Sequence, residues 1–277
     1  MEIDRSAIAQ MVTERREGGW ARSLHDMAIV AWRNLLLDWR NPAEIIVATA
    51  FPISLLCVFT ASFGRVVNPD GGFAEYAQFL LPFTVVQGLM FNTVNIGIAF
   101  YNDLDGGMDV RLRSMPISRF SAIGGRLISA GARLLFQIVG TVLAGHLLGF
   151  RFSGDGLGAV LGAVGFCLLP VVFTLSVAFI SLYVAAGAKS AEAISAVMNP
   201  WILPLTFLSV GYVPEDAFPD WSLWFVTRNP VSVASEAMRG LATGELATNA
   251  VMTTLAWSLA LSILFGWLTL KTYRNRI

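Results

Sequence analysis

The densest internal cluster of ionisable side chains lies in one stretch, Tyr101–Arg126, which reads YNDLDGGMDVRLRSMPISRFSAIGGR. On a helix Asp109 and Arg113 stand at i,i+4 spacing, with Met108 and Leu112 as apolar neighbours. Ser114-Met115-Pro116 stops such a helix, because proline has no N–H to continue the hydrogen-bond ladder. A short helix carrying charged and apolar knobs suits docking into a groove on a soluble protein. A solvated basic loop that only fixes membrane topology accounts for the same residues.

Catalytic and energy-coupling chemistry is hard to find elsewhere. There is no GxxxxGK[ST] phosphate loop, and Gly187-Ala-Lys189-Ser190 lacks both the upstream glycine and the lysine placement. HExxH and GxSxG are absent too. His146 has no second ligand at a metal-binding spacing, and Cys57 and Cys167 lie in apolar runs, where cysteine acts as a small hydrophobe. Acids and bases sit almost entirely at the ends of apolar runs, whereas ion-coupled transporters usually keep some inside. A membrane enzyme and a secondary transporter are therefore disfavoured, and energy for any transport has to come from another subunit.

The elements that must position the charged loop are membrane spans. Of the 277 residues 55% are hydrophobic and 14% charged, against about 25% charged in a soluble domain. Mean hydropathy is +0.64. Apolar runs recur at about 20 residues, the length that crosses hydrocarbon as a helix, so the chain is expected to be an all-α polytopic membrane protein. Nineteen basic and 19 acidic residues cancel, and nothing points to nucleic acid.

Residues 1–19 read as a cytoplasmic tail, with no apolar segment of the kind that makes a cleaved signal. Over 20–41 an amphipathic helix is expected to lie along the interface, with Arg22, Asp26, Arg33 and Arg40 on one face and Leu24, Ala28, Ala31, Leu35 and Trp39 on the other. The rest, 42–277, is read as one transmembrane domain with spans at about 43–63, 79–100, 127–150, 157–186, 193–213 and 250–270. In the second span Gln87, Gly88, Asn92 and Asn95 share one side, and amides in hydrocarbon have to face other helices or a pathway. Arg133 is near enough to the basic end of the third span to snorkel. Pro200 and Pro204 are expected to break the fifth, and Asn229-Pro230 opens a short helix too polar to span alone.

Basic residues set the orientation. Fourteen of them (Arg5, Arg15, Arg16, Arg22, Arg33, Arg40, Arg111, Arg113, Arg119, Arg126, Lys189, Lys271, Arg274 and Arg276) fall on one side of these spans, and four (Arg65, Arg151, Arg228 and Arg239) on the other. The positive-inside rule then puts both termini and the charged loop in the cytoplasm.

Several local patterns add a resemblance: Arg111-Leu-Arg-Ser-Met-Pro116, Gly149-Phe-Arg-Phe152, and the stretch from Gly211-Tyr-Val-Pro214 through Pro219-Asp-Trp221 and Asn229-Pro-Val231 to Ala237-Met-Arg-Gly240. In this order and spacing the chain resembles ABC-2 type permeases of the daunorubicin-resistance (DrrB/DrrC-like) branch of bacterial exporters, over nearly its whole length. The resemblance implies a permease in the bacterial plasma membrane that moves an amphiphilic drug or lipid. It implies that ATP and Mg are bound by separate cytoplasmic ATPase subunits, with no cofactor in this chain, and that a second permease chain, like or unlike, packs beside it.

Coupling to the ATPase would fall on Asp103, Asp105, Met108, Asp109, Arg111, Leu112, Arg113, Met115 and Pro116. The helix carrying Arg22, Asp26, Arg33 and Arg40 would be the connecting helix. Residues 214–245 would be partly re-entrant on the outer side, between spans 5 and 6. Phe51, Gln87, Asn92, Asn95 and Phe207 would line the path. Two other readings keep the same architecture: a permease for lipid-linked glycans, and a membrane anchor that recruits a cytoplasmic protein without transporting anything.

Overall fold

The computed structural model describes residues 20–40, 42–67, 72–107, 120–154, 156–245 and 247–275. Among them there is no strand. The helices are α1 (Trp20–Arg40), α2 (Pro42–Val67), α3 (Gly72–Asp105), α4 (Phe120–Leu147), α5 (Gly156–Gly187), α6 (Ala191–Phe207), α7 (Asp220–Arg228), α8 (Pro230–Thr243) and α9 (Thr248–Asn275). A 3-10 turn at Glu215–Ala217 precedes α7. The all-helical polytopic fold expected from composition is the fold observed.

Five helices, α2, α3, α4, α5 and α9, are long and apolar enough to cross a bilayer. The element expected as a span at 193–213 is the shorter α6, which has 17 residues. It runs through Pro200 and Pro204 without breaking and stops at Phe207, where the Leu208 N–H still donates to the Pro204 carbonyl at 2.9 Å. The chain beyond it is irregular up to the 3-10 turn, and α7 and α8 follow in place of a continued span.

α3 is the central pillar. It has 34 residues, about 51 Å at 1.5 Å per residue, so it outruns about 30 Å of hydrocarbon. It packs against α2, α4, α5, α6 and α8. Leu80, Leu81, Phe83, Val86 and Leu89 are fully buried along it. Pro52 of α2 lies against Gly88, at the middle of this helix. A bundle in lipid buries side chains only against protein, and α3 alone among the spans is buried on nearly all sides. α2 and α9 keep most of their surface, including Val47, Val58, Leu259, Ile263 and Trp267, on the outside, as lipid-facing helices should. Cys57, expected inside, is exposed on α2, and Cys167 is half-buried.

α1 has three faces rather than two. Val30, Ala31 and Asn34 are buried, and the helix packs along α4. Leu24, Ile29, Trp32 and Trp39 form an exposed apolar stripe, suited to lie in the headgroup layer. Arg33 and Arg40 lie to its other side. Close packing on α4 depends on Gly125, where an added Cβ would stand 2.6 Å from Val30.

α8 is capped at both ends. Asn229 Oδ1 accepts from the Val231 N–H at 2.9 Å, while its Nδ2 donates to the carbonyls of Leu205 (2.7 Å) and Leu208 (2.8 Å). One side chain thus starts α8 and ties off the end of α6. Pro230 occupies the first turn, where no N–H is needed, and Gly244 closes α8 at φ +80°.

Gly125→Leu should therefore destabilise the protein by about 1–3 kcal/mol, the usual cost of overpacking. Thermal unfolding in detergent reads this. Gly131→Ala is the control, since its added methyl meets ordinary contacts from 3.6 Å outward, and it should not lower the midpoint.

Candidate functional site

The irregular chain after α6 is where backbone and side chains of four helices meet. Its carbonyls cannot use helical partners, and hydrocarbon supplies none. Arg239 of α8 satisfies them: Nη2 donates to the carbonyls of Val210 (2.8 Å) and Gly211 (3.2 Å), and Nε to that of Phe79 on α3 (3.0 Å). The guanidinium also lies over the Phe79 ring, 3.7 Å from its centroid. Ser232 Oγ accepts from the Val210 N–H at 3.1 Å. Gly211 admits no side chain, because a Cβ there would fall 2.0 Å from Phe83.

Tyr212 is the hub of the neighbouring cluster. Its hydroxyl and the Gln87 amide exchange hydrogen bonds of 2.7–2.9 Å, and the Tyr76 hydroxyl donates to its carbonyl at 2.9 Å. Around the ring stand Phe59 of α2 (centroids 4.4 Å apart), Phe83 of α3 (4.6 Å) and Phe207 of α6 (5.7 Å, stacked). Further along α2, Phe51 meets Phe91 edge to face at 5.4 Å. The result is an aromatic seam where α2 and α6 lean on α3. Phe51, Trp201, Leu203 and Phe207 are exposed beside it.

A second polar cluster lies towards the Pro42 end of α2. Arg133 of α4 is bridged to Asp38 of α1 at 3.4 Å and to Glu44 of α2 at 3.5 Å. Deeper in, Asn92 Nδ2 donates to Gln137 Oε1 at 2.7 Å. Arg133 does not snorkel: its side chain is 11% exposed, held inside by two carboxylates. Burial pushes the Asp38 carboxyl above its ordinary range, against the pull of Arg133.

At the far end of α3, Asp103 is ion-paired with Arg126 of α4, which also donates to the Ala99 carbonyl at 3.0 Å. The Tyr101 hydroxyl donates to the Lys189 carbonyl at 2.8 Å and fastens α3 to the turn before α6.

Comparison with known proteins decides what this architecture is. The ABC-2 type transporter family model matches residues 25–242. The chain is 32% identical over 249 residues, 88% of this chain and 84% of the relative, to the daunorubicin resistance ABC transporter permease protein DrrB1 of Streptomyces coeruleorubidus. The chain belongs to the ABC-2 type transporter family.

Two further relatives are more distant. The probable doxorubicin resistance ABC transporter permease protein DrrC of Mycobacterium tuberculosis is 26% identical over 247 residues, 88% of this chain and 86% of its own. The putative transport permease ycf38 of Porphyra purpurea is 26% identical over 221 residues, covering 78% and 73%.

Within this ABC-2 chain the residues expected to line a path divide into two places. Gln87 and Phe207 meet through Tyr212, and Phe51 joins the same seam through Phe91. Asn92 turns instead towards α4 and Gln137. Asn95 is half-buried on α3. Of the residues expected to couple, Asp103 is engaged by Arg126 and Asp105 is exposed. Met108, Asp109, Arg111, Leu112, Arg113, Met115 and Pro116 lie outside the described residues. On the helix expected to connect, the Arg33 guanidinium reaches Asn34 Oδ1 at 3.4 Å, Asp26 is half-buried and Arg40 is exposed. Arg22 falls in its first turn, and its side chain is outside what is described.

Sequence reasoning missed Tyr76, Tyr212 and Arg239 as partners, and likewise the Asp38–Arg133–Glu44 bridge. An arginine in a short helix that is otherwise mostly small residues was the available signal for Arg239, since such a cation has to find acceptors.

Arg239→Met would leave the Val210 and Gly211 carbonyls, which have no helical partner, without their donor. Unmet buried polar groups cost about 1–3 kcal/mol each, so its thermal midpoint in detergent should fall well below that of Arg228→Met, which removes an exposed arginine of α7. Equal midpoints for the two variants would contradict the role given to Arg239.

Proposed function

We propose that this chain is the membrane half of an ATP-driven exporter for an amphiphilic compound, a drug or a lipid, in the bacterial plasma membrane. The observation that carries the reading is the uncharged aromatic seam along α2, α3 and α6, where Phe59, Phe83 and Phe207 surround Tyr212 and Phe51 meets Phe91 further along. Rings and a few amides offer an amphiphile contact area and sparse hydrogen bonding, the usual composition of sites for such molecules. The printed names of the relatives support a drug as the cargo: they are resistance permeases for daunorubicin and doxorubicin.

ATP and Mg are held by separate cytoplasmic ATPase subunits, since the sequence has no phosphate loop of its own. The stretch Asp103–Pro116 seats in that subunit, and α1 lies beside it as the connecting helix. Both termini face the cytoplasm, by the distribution of basic residues. α7 and α8, with the irregular chain before them, close the outer end. A second permease chain completes the pathway along the α2 and α6 faces. ATP-driven closure of the ATPase pair is passed on through the loops as a rigid-body rearrangement of the spans.

The test is ATP hydrolysis and cargo efflux in proteoliposomes holding this chain and the ATPase encoded beside it, with daunorubicin as the probe. The chain alone should hydrolyse no ATP. The complex should move the drug, and Arg113→Glu and Met108→Asp should cut efflux at least tenfold while membrane insertion is kept. A complex that assembles and hydrolyses ATP regardless of these loop changes, with no drug movement, would support the anchor reading instead.

A further inference from the structure

Away from the aromatic seam, a small notch with about 10 Å³ of enclosed space opens between α2, α3 and α4, its walls including Glu44, Ala48, Thr49, Asn92, Arg133 and Gln137. Two carboxylates, Asp38 and Glu44, converge on one guanidinium, Arg133. The cluster therefore carries one negative charge in excess. Asp38 is largely enclosed, but the Glu44 side chain is 47% exposed, so the surplus charge is presented at the mouth.

Hydrogen-bond bookkeeping points the same way. Glu44 gives only Oε1 to Arg133. Thr49 Oγ1 donates to the Ile45 carbonyl, which leaves its lone pairs free. Asn92 gives its Nδ2 to Gln137 and keeps Oδ1 without a partner among the described residues. Three acceptors thus remain along one small opening, and Arg133, the strongest donor there, is already taken by two carboxylates. An anion entering would meet the Glu44 carboxylate at the mouth.

The geometry points to this notch as a binding site for a protonated primary amine at the head of a membrane amphiphile. An ammonium has three N–H donors and no acceptor, which matches what the notch leaves unmet. The enclosed part admits a group the size of a water molecule or an ammonium, and not a trimethylammonium. α2 and α4 carry exposed Ile46, Val47, Phe136 and Val139 outside the notch, surface on which an acyl chain can lie while its head reaches Glu44. On the proposed orientation this is the level of the cytoplasmic leaflet. The amine can belong to a phospholipid of the bilayer or to a free amphiphilic amine.

The site is independent of the transport reading, so its test uses the purified chain alone, without ATPase or efflux. Native mass spectrometry would measure retention of phosphatidylethanolamine, phosphatidylcholine, phosphatidylglycerol and dodecylamine by wild type, Glu44→Gln and Ala48→Leu. Glu44→Gln removes the surplus charge, whereas Ala48→Leu fills the notch and leaves every charge in place.

Wild type should retain phosphatidylethanolamine or dodecylamine at least fivefold over phosphatidylcholine and phosphatidylglycerol, and both variants should lose that preference. Retention of the phospholipid alone assigns the amine to the bilayer, and retention of dodecylamine alone assigns it to a free amphiphile. Preference for phosphatidylglycerol, no preference among the four, or an amine preference that survives in either variant would overturn the site.

Discussion

Backbone amides buried in hydrocarbon have nowhere to turn but to protein, and the fold of this permease depends on how it meets that demand at one place. The chain leaves helical geometry after Phe207 while still packed against α3. Arg239 reaches across from α8 to hold Val210 and Gly211, and Phe79 of α3 with them. Three carbonyl dipoles surround this cation, and the charge of Glu236 one turn away favours it as well. Asn229 does the matching work a few residues away, closing α6 and opening α8 together. Without these two side chains, a non-helical segment could not sit where the aromatic seam requires Tyr212 to be.

Much of the helical architecture was readable from hydropathy because lipid imposes so few solutions. α2, α5 and α9 lie over apolar runs that marked them, whereas α4 starts at Phe120, ahead of its run, because the polar turn before Leu127 continues the same helix. α3 is longer than its apolar run, since Gly72–Gln78 and Tyr101–Asp105 add polar turns to both ends of a continuous helix. The expected fifth span came out short. Its prolines mark a helix that ends early, because at Leu208 the chain exchanges helical bonds for tertiary ones.

The site was readable only in part, for a reason of direction. Spacing on α3 put Gln87 and Asn92 on one broad side, yet the two are 140° apart around the helix, and one reaches Tyr212 while the other reaches Gln137. Periodicity gives angles about one axis and is silent about which neighbour stands at each angle. Arg133 shows the same limit. Its position near a basic end suggested escape towards water, but α1 folds back along α4 and brings Asp38 to it.

The placement of Pro52 against Gly88 has a mechanical meaning. Gly88 stands midway along α3, a helix longer than the hydrocarbon is thick, with Pro82 interrupting its hydrogen-bond ladder on one side. A rod braced at its centre is an equal-armed lever, so tilting it moves its two ends through similar arcs in opposite senses. One end is fastened through Tyr101 and Asp103 to the turn before α6 and to α4, and the other through Tyr76 and Phe79 to the chain around Tyr212. A displacement of a few ångströms at the charged end would arrive at the aromatic end reversed in sense, less whatever the helix absorbs by flexing at Pro82.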